Sequence, residues 1–414
     1  VRLVDHCLAD SAGPFLGLGV SYFTALWRCK HERARLHSDL AFLAGQGFRY
    51  LRMLSMVGWY EAWKGLEIAP VSYRGRDGRL VQAWPDYWQH MRDLVDIAFD
   101  RYGLRTQITL FADAQLMPEK PNRIAHMDRM LSEVVAGREQ KVILLEVANE
   151  AWQNGFPGSE GLADLREFTR YLADRTGVLV ATTSNHERPF RELYEKSAAD
   201  IATWHFSRDR AADEGWKPVH DCWDYGEVPG CPPVSSNEPI GPGSSVSSES
   251  DPVKLITAAA FAFAARLPMY VFHSEAGVFG KASFEATPAI RGFRPILSLL
   301  PRDLPNWRRH DSRGPDALFT LHAGGVPDRT WPDIPNAEDG CVRMAVSRKD
   351  ARFLGIPIGI RRGGLLVTAR ANVQFRVCHP VTARAEMRFR LRKGEQCRIP
   401  AGAGAWILFG SVER

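Results

Sequence analysis

No stretch of the 414-residue sequence approaches the roughly 18–20 uninterrupted apolar residues of a membrane helix, and Val1 opens the chain without a basic-then-apolar leader. No membrane partner is expected, while secretion and a cytoplasmic location both stay open. The seven cysteines show no C-x-x-C spacing, which argues against a structural zinc site and against a disulfide-dense scaffold. Cys222 and Cys231, on either side of a Gly/Pro-rich turn, are the pair placed to bond. No G-x-G-x-x-G follows the first strand-like segment, and neither H-x-H nor H-E-x-x-H occurs, so no dinucleotide, other cofactor or resident metal is expected.

Strong charge is also missing: the formal net charge is only +5. Basic residues gather late, at Arg384, Arg388, Arg390, Arg392 and Lys393, and the period of two in Arg388, Arg390 and Arg392 puts them on one face of a strand. With no aromatic platform interleaved, that face reads as solvated, and no nucleic-acid partner is inferred. A hydrophobic fraction of 45% and a charged fraction of 24% are those of an ordinary globular protein.

What the sequence has is alternation. Strand-like segments at Phe15 to Tyr22, Phe48 to Leu54, Leu104 to Phe111, Val142 to Ala148, Val178 to Thr182, Ile201 to Phe206, Val234 to Asn237 and Met269 to Ser274 are separated by helix-like ones, among them His31 to Gln46, Gly161 to Arg175, Asp209 to Val219 and Pro252 to Arg266. Eight such units in series predict an α/β fold, a (β/α)8 TIM barrel over residues 1–300. After Pro301 short strands at Ala317 to His322, Val342 to Ser347, Leu365 to Ala369, Val373 to Val377, Ala385 to Leu391 and Ala405 to Phe409, separated by Gly, Asp and Pro turns, predict an antiparallel β-sandwich over 301–414, read as an accessory domain. The loop from Asn237 to Pro252, rich in Ser, Gly and Pro, lies on the carboxyl side of the seventh strand and is expected to bind substrate.

The most informative segment is the fourth strand, which runs from Val142 through Leu145, Glu146 and Ala148 into Asn149, Glu150, Ala151 and Trp152. Its length and apolarity fit a buried parallel strand, which puts Glu150 at the carboxyl end of the sheet. Barrel enzymes carry their chemistry at that end. Asn-Glu there can also simply open the next helix, Asn as cap and Glu against the helix dipole.

With the strands counted, Glu150 ends the fourth and Glu238 the seventh, a layout that resembles glycoside hydrolase clan A, the retaining β-glycosidases built on a barrel. The resemblance covers Phe15 to about Leu300. It implies a hydrolase acting on an oligo- or polysaccharide, with Glu150 as acid/base, Glu238 as nucleophile and Asn149 on the sugar 2-hydroxyl. Arg52 matches the clan's strand-two Arg beside the nucleophile, although a rim ion pair would also explain it. His205, ending strand six, matches a position near the nucleophile, although it could equally be a core histidine. A retaining enzyme needs its two carboxyl groups only about 5–5.5 Å apart.

Glu275, in His273-Ser274-Glu275, also follows an apolar strand and competes with Glu238 for the nucleophile's place. If Glu238 holds that place, His273 and Glu275 are expected to touch substrate. Trp59, Tyr60, Trp63, Trp152 and Trp204 are candidate platforms for sugar faces. Two other classes remain: a metal-dependent hydrolase using His205, Asp113, Glu150 and His273, and a non-catalytic carbohydrate-binding protein on a barrel scaffold.

Overall fold

The computed structural model describes residues 1–184, 189–206, 215–243, 248–310, 317–323, 326–327, 343–361 and 363–413. Its central feature is an eight-stranded, all-parallel sheet made of Gly17–Ser21, Tyr50–Leu54, Arg105–Phe111, Val142–Asn149, Val180–Ser184, Ala202–Trp204, Val234–Ser236 and Met269–Phe272. These are barrel strands 1 to 8. The ladder runs 5-4-3-2-1-8-7-6, so strands 5 and 6 form the seam of a nearly closed (β/α)8 barrel. Strands buried on both faces need no polar alternation, which is why strand 4 has all eight residues buried.

At the seam a side chain stands in for the missing ladder. The Tyr194 hydroxyl shares its one proton between the carbonyls of Thr183 and Thr203, 2.7 Å away in the second case, and accepts from the Thr203 N–H at 3.1 Å. Buried backbone groups need partners wherever a sheet stops pairing. Inside the barrel, Gly19 makes room for Tyr50, whose ring would lie 2.2 Å from a Cβ on that glycine.

An N-terminal meander, Arg2–Val4, Cys7–Asp10 and Gly13–Phe15, was not expected from the sequence. Leu8 and Phe15 from it pack against Ile143, Leu144, Leu179, Ile201 and Met269, residues at the amino ends of the strands. The meander plugs the bottom of the barrel and leaves the carboxyl end as the mouth.

The helix Pro252–Ala264 is buried nearly all round, from Val253 and Leu255 to Phe263 and Ala264. Such a helix must be covered on both sides. Its inner side packs on strand 8, and its outer side meets strands Arg343–Lys349 and Arg352–Ile358 of the C-terminal region. Asp251 caps it through the Val253 N–H at 2.9 Å, with Pro252 in the first turn, where the missing N–H costs nothing.

The C-terminal region is an antiparallel sandwich. One sheet orders Arg308–Arg309, Arg343–Lys349, Arg352–Ile358, Ile407–Val412, Val373–Cys378 and Ala385–Leu391; the other orders Val326–Pro327, Phe319–Ala323, Leu365–Ala369 and Gln396–Ile399. Phe319, Phe353, Val367, Phe375 and Leu408 fill the space between them. Leu354, Ile356, Cys378 and Ile407, on the other face of the larger sheet, join the barrel core instead.

Three expectations are corrected. Cys222 and Cys231 are both free thiols. The helix expected over Asp209 to Val219 runs Lys217–Tyr225, with residues 209–214 outside the described ones. Strands Arg352–Ile358 and Gln396–Ile399 were missed, the first because its Gly and Pro read as turn residues. Among the described residues no helix is long and apolar enough to cross a membrane.

Candidate active site

Five barrel strands, 2, 3, 4, 5 and 7, deliver one buried polar cluster. Arg52 of strand 2 is fully buried, a position tenable for a charge only if it is paired and hydrogen-bonded. Its Nε and Nη2 each donate to Glu146 Oε2 at 3.2 Å, its Nη1 to Glu238 Oε1 at 2.7 Å and its Nη2 to Asn149 Oδ1 at 2.6 Å. Burial alone would lower its pKa, but Glu146 and Glu238 more than reverse that.

Glu146, also fully buried, accepts further bonds from Thr109 Oγ1 at 2.6 Å and Asn237 Nδ2 at 2.8 Å. Glu146 received no role from the sequence. The signal was there: a carboxylate inside an apolar strand must find a cation, and the Arg inside strand 2 is that cation. Asn149 Oδ1 also accepts from Ser184 Oγ at 3.0 Å. With its oxygen held by two donors, the amide NH2 is the group Asn149 can offer to the mouth.

Above this layer lies a cavity of about 320 Å³, lined by Asn149, Glu150, Glu238, His273, Asp113 and the aromatic rings of Tyr60, Trp63, Phe23 and Phe279. Glu150 enters it from a left-handed backbone conformation, φ +41°, an arrangement that costs a non-glycine residue on the order of 1–3 kcal/mol and is typical of functional sites. Its N–H is anchored on the Ser184 carbonyl at 3.0 Å, and its Oε2 accepts from Gln153 Nε2 at 2.5 Å. Gln153 is itself fixed, its carbonyl accepting from Tyr60 Oη and Gln115 Nε2.

His205 stands between the two acids. Its Nδ1 is 3.3 Å from Glu150 Oε1 and its Nε2 3.6 Å from Glu238 Oε1. One carboxylate oxygen of Glu150, one of Glu238 and a ring nitrogen of His205 all lie within 4.8 Å of one another. His273 lines the same wall, its Nδ1 2.8 Å from Ser21 Oγ and its Nε2 3.9 Å from Glu238 Oε2. The loop after strand 7 crosses so close that a Cβ on Gly241 would sit 1.6 Å from the His273 carbonyl.

Several sequence candidates lie elsewhere. Both oxygens of Glu275 accept backbone N–H groups, from Lys281 at 3.0 Å and Ala282 at 2.7 Å, so this carboxylate braces its own loop and does not line the cavity. Trp59 and Trp152 are half-buried and also off the lining, and Trp204 is packed against Phe190 and Tyr225.

Asp113 was considered only as a metal ligand. It faces the cavity, nearly fully buried, with Oδ2 accepting the N–H groups of Gly58 at 2.8 Å and Trp59 at 3.0 Å. Burial pushes its pKa up to about 6, and the two N–H groups hold it from rising further.

Fold and site together define a (β/α)8 barrel, with an attached β-sandwich, whose mouth holds two facing carboxylates. Solved structures with this fold include a glycoside hydrolase family 5 protein from Bacteroides vulgatus ATCC 8482, with a TM-score of 0.70 and 12% identity over 99% of this chain and 92% of that one. A putative glycoside hydrolase from the same organism matches with a TM-score of 0.65 and 12% identity, covering 99% and 83%. A noncanonic maltogenic alpha-amylase, AmyB from Thermotoga neapolitana, matches with a TM-score of 0.56 and 11% identity, covering 96% and 99%. No protein-family model and no curated protein matches the sequence. The fold expected from the sequence is thus present. Identities this low carry the fold alone, and the naming of an amylase among the relatives shows that the chemistry has to be argued from the site.

Proposed function

We propose that the protein is a retaining glycoside hydrolase that cleaves β-glycosidic bonds of an oligo- or polysaccharide, with Glu238 as nucleophile and Glu150 as general acid/base. The observation that carries this reading is the pair of carboxylates from opposite sides of the barrel, whose nearest oxygens lie within 4.8 Å. An inverting pair stands about 6.5–9.5 Å apart to leave room for water, whereas a retaining pair stands at about 5–5.5 Å.

The surroundings divide the labour. The Arg52 guanidinium on Glu238 Oε1 favours the ionised form, which a nucleophile must have. Glu238 attacks the anomeric carbon while Glu150 gives its proton to the departing oxygen, and Glu150 then takes a proton from the water that frees the sugar. Asn149 offers its amide to the sugar 2-hydroxyl. Tyr60 and Trp63 present rings to sugar faces.

A 2-fluoro glycoside with an activated leaving group should trap the covalent intermediate on Glu238; labelling of Glu275 would move the nucleophile and contradict the geometry. Glu150→Ala should lose turnover on substrates with poor leaving groups, keep the first step on activated aryl glycosides, and be rescued by azide. Equal loss on both substrate types with no rescue would remove Glu150 from the acid role.

A second reading rests on the same three residues, since Glu150, His205 and Glu238 are spaced to hold a cation. A metal-dependent hydrolase would be silenced by a chelator and restored by zinc or manganese. The glycosidase reading requires that neither treatment change the rate.

A further inference from the structure

The larger sheet of the sandwich carries a basic groove away from the barrel mouth. Register puts Arg376 directly opposite Arg388 on one side and opposite Phe409 on the other, Gln374 opposite Arg390 and Ser411, and Arg352 opposite Ser411. All share the face whose other end, at Leu354, Ile356, Cys378 and Ile407, is buried on the barrel. Where that face runs clear of the barrel it forms a shallow groove of about 420 Å³, lined by Arg352, Arg376, Arg388, Gln374, Phe409 and Ser411 among others, with no carboxylate in the lining among the described residues.

Like charges opposite each other across a ladder destabilise a sheet. Here no ion pair joins Arg352, Arg376 or Arg388 to a carboxylate among the described residues; Arg390 at the edge does pair, with Glu413 at 3.0 Å. Two of the three guanidiniums lie over rings instead, Arg376 5.3 Å over Phe409 and Arg352 5.1 Å over Trp307. Aromatic support orients a guanidinium without neutralising it, which leaves its planar donors for an anion.

We propose that this groove binds the carboxylates of an acidic polysaccharide, a chain containing uronic acids, and so holds substrate for the barrel. The proposal rests on the glycosidase reading for its biological sense, but its site is separate. Arg352 and Arg388 lie three strand spacings apart, about 14 Å. A chain with a carboxylate on successive sugars can follow a row of arginines laid across the strands in this way. A nucleic acid would want freely exposed rings for its bases, and of the three rings in the lining Phe375 is buried, Phe389 is half-buried with its ring centre 5.4 Å from that of Phe375, and Phe409 lies under Arg376.

The test is affinity electrophoresis and calorimetry of the full-length protein with oligogalacturonate and alginate oligosaccharides, with neutral cello-oligosaccharides and a single-stranded DNA oligomer as controls. The wild type should bind an acidic oligosaccharide, more weakly as salt rises. Arg376→Gln/Arg388→Gln should bind it at least tenfold more weakly, with its melting temperature unchanged or raised by relief of the repulsion. Arg388→Gln alone, at an exposed position, repeats the test should the double variant fold poorly. Turnover of a small aryl glycoside should not change.

Failure of both acidic probes to bind, undiminished binding by the variants, or equal binding of the DNA oligomer would overturn the proposal. Variants that lose uronate binding in a protein inactive on every glycoside would retain the groove while removing the glycosidase reading.

Discussion

Asp113 is a residue of the cavity wall whose ionisation the folded protein should feel. Its pKa is raised from an ordinary 3.8 to about 6 because burial disfavours its charged form. Below about pH 4 the folded and unfolded chains both hold the proton. Between about pH 4 and 6 the unfolded chain releases it and the folded chain keeps it, so stability falls as pH rises, by about 3 kcal/mol in all. Above that both are ionised and the contribution is flat. Asp113→Asn should abolish this segment of the profile, so that urea midpoints for variant and wild type diverge between pH 4 and 6.5 and run parallel above. Parallel profiles across the whole range would mean that Asp113 is better hydrated than its place in the cavity wall implies. The same residue shows how far a single position can be read from sequence. Arg52 and Glu150 stood out because they interrupt or end an apolar strand, and Glu238 because the strand count puts it after the seventh strand, whereas Asp113, two residues past strand 3, has neither signal and looks like any loop residue.

At the scale of elements, the weak point of the barrel is its seam between strands 5 and 6, where one phenol replaces a ladder. Tyr194→Phe removes a single oxygen and with it the one proton shared by two buried carbonyls and the acceptor of one N–H. Each buried group left unpaired costs about 1–3 kcal/mol, so the expected loss is at the upper end of what one hydroxyl commonly contributes. Urea unfolding would measure it, and amide exchange at Thr203 should accelerate more than exchange in strand 4. A loss under about 0.5 kcal/mol would mean that water or neighbouring donors fill the gap. Strand existence and order were legible because parallel barrel strands are apolar on both faces and spaced by whole helices. The seam was not, since nothing in Phe190–Tyr194 distinguishes Tyr194 from another buried aromatic. Glu275 was misplaced for a related reason: strand 8 ends like a catalytic strand, but a short turn folds back and gives its carboxylate two N–H donors. Arg352–Ile358 was missed because Gly355 and Pro357 read as breakers, although Gly355 packs against Met344 and Leu408 in a central strand.

For the whole molecule, the sandwich is more than an appendage. The helix Pro252–Ala264 has no polar face, and Ala345, Leu354, Ile356 and Ile407 of the sandwich share its core. The Ser347 hydroxyl donates to the Ala264 carbonyl at 2.5 Å and so closes one of the open ends of that helix. The N-terminal meander is tied to the same junction, with the His6 N–H on Asn306 Oδ1 at 3.1 Å. Cutting the chain after Leu300 would therefore uncover a continuous apolar helix face and break contacts at the barrel floor, and exposed patches of that kind drive association. The truncated chain is expected to be insoluble, or to melt without a cooperative transition, whereas the full chain should unfold in one step by both fluorescence and circular dichroism. Its barrel strands and its acids would all be present, so loss of activity would be traceable to the missing cover. A soluble fragment ending at Leu300 that unfolds cooperatively and cleaves aryl glycosides at the full-length rate would show that the barrel stands alone, and that the apolar outer side of this helix tolerates water.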